Sequence, residues 1–297
     1  MVRYEIMAAA AAVTILAGCR NDIDFDACGQ IDAEQVTVSA EASGRILSLN
    51  VREGDMLNAG QMVGAVDSVQ TALQIRELEQ RSDGARSRLI DIDRQQAPQK
   101  DQLASLENDF RRYSSLLANN AATQKQVDDL RSQIDILKSQ MAAQKQTWER
   151  NNSSVRSEIS TYEIQIAEKR DQLAKCRICS PVAGTVLTKY ANEGESVTVG
   201  KPLFKLADLT ETYVRAYFTT SQLSTLKLGD EMKVIPDDGS ANPKEYTGRV
   251  MWISSQAEFT PKDIQTRDER AELVYAVKVA VPNDGSLRLG MYAYVRK

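Results

Sequence analysis

The chain has 297 residues, 42% apolar and 26% charged but only 6% aromatic, with few glycines or prolines, which favours long uninterrupted helices beside a small core. It contains no histidine, which excludes Ser-His-Asp and Cys-His catalysis, every His-containing zinc site and imidazole proton switching. A net charge of −4 offers no general attraction to nucleic acid, so no nucleic-acid partner, no cofactor and no enzymatic activity are expected.

Residues 1–18, MVRYEIMAAAAAVTILAG, open on a short polar stretch with Arg3 and continue as an apolar run over 6–17. Twelve residues are too few for a hydrocarbon layer of about 30 Å, so the segment reads as a secretion signal that is removed. Leu16-Ala17-Gly18-Cys19 resembles the bacterial lipoprotein box, and that resemblance implies a lipid on Cys19, which becomes the first mature residue. Cys28, Cys176 and Cys179 remain; outside the cytoplasm any two of them can form a disulfide, and the pairing is open. Cys176 and Cys179 have thioredoxin-like spacing, but they follow a long helix and enter the Ser180-Pro181 turn. A structural role is therefore expected for them.

A repeat recurs at a fixed offset of 140 residues: 44–66 reads GRILSLNVREGDMLNAGQMVGAV and 184–206 reads GTVLTKYANEGESVTVGKPLFKL. Three glycine pairs align, Gly44/Gly184, Gly54/Gly194 and Gly60/Gly200, with aliphatic pairs such as Ile46/Val186 and Val63/Leu203 between them. Each copy reads as short strands joined by tight turns, and two copies face to face make a small β-sandwich.

The half-motif resembles the biotinyl/lipoyl carrier fold, and two halves parted by a helical insertion are similar to the periplasmic adaptor, or membrane fusion protein, family (HlyD-like efflux adaptors). A carrier presents a modified lysine between its halves; here Asp67-Ser68-Val69-Gln70 stands there and launches the insertion.

Within the insertion, apolar residues recur at steps of three and four from Ile75 through Ser82, Ala85, Leu89, Ile92, Gln96 and Gln99 to Leu117. A second seam runs from Val127 through Ile134, Leu137, Met141 and Gln144 to Trp148, then slips one residue to Asn152 and continues to Leu173. That slip is a stutter, which relaxes supercoiling locally. Asn119 or Asn120 can end the first helix and Thr123 can cap the second. Antiparallel arms about this tip place residues at equal height when their numbers sum to roughly 241. Pro98, Gln96, Gln99, Gln144 and the stutter then share one level, where a polar, proline-kinked waist is expected. Two helices of about 47–50 residues give a rod roughly 70 Å long. Arg112, Leu116 and Thr123, spaced +4 and +11, resemble the Arg-Leu-Ser tip motif by which adaptors meet an outer-membrane channel, with Thr in place of Ser.

After residue 208 the pattern turns to alternating strands with one short helix at 221–226, as in a small barrel. Residues 257–262 with Thr266, Glu269 and Arg270 resemble adaptors that serve ABC-type exporters, and Leu289-Gly290-Met291 resembles the family's closing strand. The chain stops at Lys297, leaving nothing to build the fourth, membrane-proximal domain that many proton-driven-pump adaptors carry.

The expected fold is therefore elongated, multidomain α+β. Its parts are a signal peptide (1–18), a lipidated tether (19–35), a lipoyl-like sandwich (36–68 and 176–208), a coiled-coil hairpin (69–175) and a β-barrel (209–297). The resemblance implies a lipid-anchored periplasmic subunit at the inner membrane of a Gram-negative cell. Its implied partners are other copies of itself in a ring, an ABC-type permease and ATPase, and a TolC-like outer-membrane channel; the alternatives are an adaptor of a proton-driven (RND-type) pump and a purely structural coiled-coil lipoprotein.

Overall fold

The computed structural model describes residues 25–240, 242–259 and 273–297. Cys19, the signal segment and residues 260–272 with Thr266, Glu269 and Arg270 lie outside them.

Two four-stranded sheets form the sandwich. One takes β2 (Gln35–Ser39), β9 (Pro202–Ala207), β7 (Gly184–Lys189) and β4 (Met56–Leu57), in that order. The other takes β6 (Arg177–Cys179), β5 (Met62–Val66), β3 (Gly44–Leu49) and β8 (Ser196–Val197). Shifting each first-half strand by +140 and each second-half strand by −140 turns one sheet into the other, so the halves exchange strands about a pseudo-two-fold axis. The backbone repeats it bond for bond. Gly54 N–H donates to Val186 O at 2.8 Å and Gly194 N–H to Ile46 O at 2.9 Å; Gly60 N–H donates to Ser180 O at 2.7 Å and Gly200 N–H to Ala40 O at 2.8 Å. The turn glycines Gly54 and Gly194 have φ of 93° and 88°, a region closed to most side chains. Ile46, Val66, Val186, Leu203, Phe204 and Leu206 are buried between the sheets. Phe204 is the only aromatic among the buried residues of this core.

Three helices fill the insertion. The first arm is α1 (Val69–Arg86) followed by α2 (Ile92–Ala118), and the second is the single 52-residue α3 (Gln124–Lys175), about 78 Å long. The expected continuous first arm is thus broken at 87–91. Pro98 lies inside α2 rather than at the discontinuity. As the seventh residue of α2 it lies in the second turn, where its missing N–H leaves the Arg94 carbonyl without its usual helical donor. Asn152, the stutter residue, sits opposite the break with a side chain only 4% exposed. Its Oδ1 accepts from Ile90 N–H at 2.9 Å and its Nδ2 donates to Ile90 O at 2.7 Å. The polar waist is present just above: Gln96 Nε2 donates to Met141 O at 2.9 Å, and Gln99 Nε2 to Gln144 Oε1 at 2.9 Å.

The third unit is a closed barrel, ordered β1 (Ala27–Asp32), β10 (Glu211–Thr219), β13 (Leu273–Pro282), β12 (Tyr246–Phe259), β11 (Glu231–Pro236), β14 (Tyr292–Arg296). Residues 27–32, expected in the tether, are therefore its sixth strand. Gly29 explains the fit, because a Cβ there would stand 2.0 Å from the Arg215 carbonyl oxygen. The interior is β-branched, with Val214, Val234, Val277, Val279 and Val295 fully enclosed, and α4 (Thr220–Leu223) leads Leu226 into the same core.

Candidate functional site: the hairpin tip

The tip is built by two helix ends. At the end of α2, Asn119 is the C-cap and Asn120 takes φ 54°, while Ala121 N–H donates to Leu116 O at 2.8 Å and Asn120 N–H to Leu117 O at 3.0 Å. This left-handed termination satisfies carbonyls that a helix end leaves unpaired, and asparagine tolerates it better than most residues. Thr123 opens α3 with a capping box: its N–H donates to Gln126 Oε1 at 2.9 Å, and its hydroxyl donates to the same oxygen at 3.0 Å. The sequence pattern Thr-x-x-Gln carries that geometry.

Arg112 and Leu116 lie one helical turn apart on α2, and Thr123 follows across the turn. Arg112 is exposed, donates from Nη2 to Asp109 Oδ1 at 2.9 Å and stands 5.4 Å from the centre of the Tyr113 ring. Both contacts hold the guanidinium at the surface; Tyr113 is a position of the first heptad seam, and no sequence pattern marks Asp109. Leu116 is 38% exposed, while its seam neighbours Tyr113 and Leu117 are half-buried. An apolar side chain is thus presented beside a cation at the apex. Thr123 differs from these two, since its hydroxyl is already engaged in the cap.

Among the described residues the cysteines are free thiols: Cys28 is exposed on β1, Cys179 is half-buried and Cys176 is buried in the sandwich core. Burial pushes the Cys176 thiol above its ordinary range, with the Asp67 carboxylate adding to the shift. A thiol held protonated is a poor nucleophile. Among the described residues no cluster of His, Cys, Asp or Glu is placed to hold a metal, and no helix is long and apolar enough to cross a membrane.

The family described as RND MFP, barrel-sandwich hybrid domain, matches residues 34–209. A UPF0194 membrane protein of Yersinia enterocolitica is 27% identical, over 100% of this chain and 99% of its own length. The UPF0194 membrane protein YbhG of Salmonella arizonae is 28% identical, over 98% and 95%. Two solved structures share the fold. MacA from Actinobacillus actinomycetemcomitans has a TM-score of 0.59 at 19% identity, covering 93% of this chain and 79% of that one. A membrane fusion protein of Streptococcus pneumoniae R6 has a TM-score of 0.56 at 16% identity, covering 91% and 96%. The split sandwich and inserted hairpin are the features this family is built on, and the chain belongs to it: it is a periplasmic adaptor, or membrane fusion protein.

Proposed function

We propose that this adaptor is lipid-anchored through Cys19 in a Gram-negative envelope and links an inner-membrane ABC-type permease and ATPase to an outer-membrane channel of the TolC kind. The observation that carries the reading is the exposed Arg112–Leu116 pair at the apex of a hairpin whose second arm runs about 78 Å. A rod of that length spans distance and presents its apex to a partner, and arginine is among the residue types enriched as anchors of such contacts. Several copies side by side form a ring, with sandwiches as a collar and hairpins as a tube. Thr123 serves the tip by capping α3, and its contact with the channel uses the hydroxyl's remaining lone pair.

Two tests follow. In-cell crosslinking of C-terminally tagged protein, with mass spectrometry of the membrane complex, should recover an ABC permease, its ATPase and an outer-membrane channel. Leu116→Ser should abolish export and leave helicity and melting temperature nearly unchanged, because the side chain is already partly in water. A large fall in melting temperature would assign Leu116 to packing instead. The matching family's description names RND systems, which favours a second reading as the adaptor of a proton-driven pump. Recovery of such a pump in the crosslinked complex would establish it.

A further inference from the structure

One end of the barrel gathers exposed apolar side chains around the point where the N-terminal segment joins the fold. Asp26 marks that end. Its N–H donates to Val295 O at 2.9 Å, its carbonyl accepts from Gln222 Nε2, and its Oδ2 accepts from Lys297 N–H at 2.8 Å. Lys297 Nζ in turn reaches Asp230 Oδ2 at 2.7 Å and the Thr225 carbonyl at 2.6 Å. The start of β1, the end of β14, α4 and the 227–230 turn are thereby tied into one surface. β13 begins there too, since Val274 pairs with Thr219, the residue that leads into α4.

Three large apolar residues project from this end: Leu228 is 67% exposed, Leu273 53% and Phe25 45%, the last with its ring 4.7 Å from that of Tyr294. None of the three belongs to the barrel core, which Leu226 joins and against which Leu223 of α4 packs. The opposite end carries the crossings into the sandwich, from Asp32 to Gln35 and from Ala207 to Glu211. Phe25 lies six residues after Cys19, a reach of at most about 20 Å when fully extended. A lipid on Cys19, or the apolar run at 6–17 held in a membrane, therefore keeps this end at the bilayer surface, far closer than a sixteen-residue tether would.

We propose that Leu228, Leu273 and Phe25 form a membrane-resting surface, seated at the headgroup–acyl boundary of the bilayer that holds the N-terminus. Side chains of this kind bury favourably at that boundary, and Tyr294 under Phe25 is suited to its polar edge. The inference rests on the membrane attachment proposed above. It adds that the barrel touches lipid directly instead of hanging from a slack leash.

The test uses the full chain in vesicles of phosphatidylethanolamine and phosphatidylglycerol, with photoreactive p-benzoylphenylalanine placed at position 228, 273 or 199. Val199 is 66% exposed on the sandwich and serves as control. Lipid-mass adducts at 228 and 273 and none at 199 are expected, with unchanged melting temperatures. Absence of lipid adducts at 228 and 273, or equal labelling at all three positions, overturns the surface. The same experiment in native membranes adds a competing outcome: capture of a membrane protein in place of lipid at 228 and 273 overturns it too. The mass of the N-terminal peptide, read in the same digest, reports lipidation of Cys19 separately. Lipid adducts with an unmodified Cys19 would keep the surface and remove the lipid anchor.

Discussion

The two arms of the hairpin carry similar heptad seams but different backbones. α3 runs 52 residues without interruption, whereas the facing arm is divided into 18 and 27 residues by the segment 87–91. Cross-arm contacts explain the asymmetry. Between Ile90–Asn152 and the Arg86–Glu163 ion pair, the first arm moves four residues and the second eleven. Eleven helical residues climb about 16 Å, more than four residues cover even when fully extended, so the first arm leaves the helix here and the long Arg86 and Glu163 side chains span the remainder. The stutter in α3 and the break opposite it are one feature: a register change on one arm is absorbed by unwinding the other. The heptad pattern chooses which side chains face the seam, and the partner arm decides whether the backbone can stay helical.

That comparison can be broken most severely inside the seam. Ile159 is 8% exposed and packs with Ala85 and Val155 just below the break, where the arms rejoin. Ile159→Ala should cost about 2–4 kcal/mol of hairpin stability. Ile164, 68% exposed on the same helix, should tolerate Ala within about 0.5 kcal/mol. Thermal unfolding followed by circular dichroism checks both, and equal losses would mean that the seam is misplaced. Next in size is Asn152→Ala, which removes both bonds to Ile90 and leaves its backbone groups unpaired beside α3. A loss of about 1–3 kcal/mol is expected, with hydrogen exchange accelerated at 87–92 and unchanged near the tip. Uniform acceleration along both arms would show that Asn152 does not act at the break. Gln96→Leu is smaller still. It replaces a buried amide by an apolar side chain of similar size, and Met141 O keeps its place in the α3 ladder, so melting should shift by under about 1 kcal/mol in either direction.

What could be read from sequence follows signal strength. The aligned glycines placed the sandwich turns because positive φ restricts residue choice. The same repeat extends to β2 and β6, yet only a faint apolar alternation, Val36 and Val38 against Cys176 and Ile178, marks them. β1 was missed because its code is the short run ACGQID, and its partners Tyr217 and Tyr294 lie far away in sequence. The break was missed because apolar seam positions continue through Leu89 and Ile92. Leu89 is instead 37% exposed, and Asp91 caps α2 by accepting from Arg94 N–H at 3.2 Å. The stutter is the visible sign of the break, whereas the sequence reading puts the expected kink at Pro98. At the tip, Asn120 and the Thr123–Gln126 box could be read locally, whereas the Asp109 and Tyr113 contacts of Arg112 depend on rotamers that no short pattern specifies.

The smallest test concerns charge at the start of α2, just above the break. Asp93 lies in the first turn, and Lys100 donates to its Oδ1 at 2.7 Å. That hydrogen bond and the ammonium charge hold the Asp93 carboxyl below its ordinary range. A depressed folded-state pKa means that the contribution is fully present above the unfolded value, near 4, and is lost as pH falls through the lower folded one. The helix N-terminus favours the same ionised form. Asp93→Asn should therefore lower the melting temperature slightly at neutral pH, and the difference from the unaltered protein should close as pH drops below about 4. Both groups are exposed, so added salt should shrink the effect at every pH. A gap that persists in acid would mean that the asparagine alters helix capping rather than charge. The discontinuity between α1 and α2 would then depend on the Asp91–Asp93 turn as much as on Asn152 across the seam.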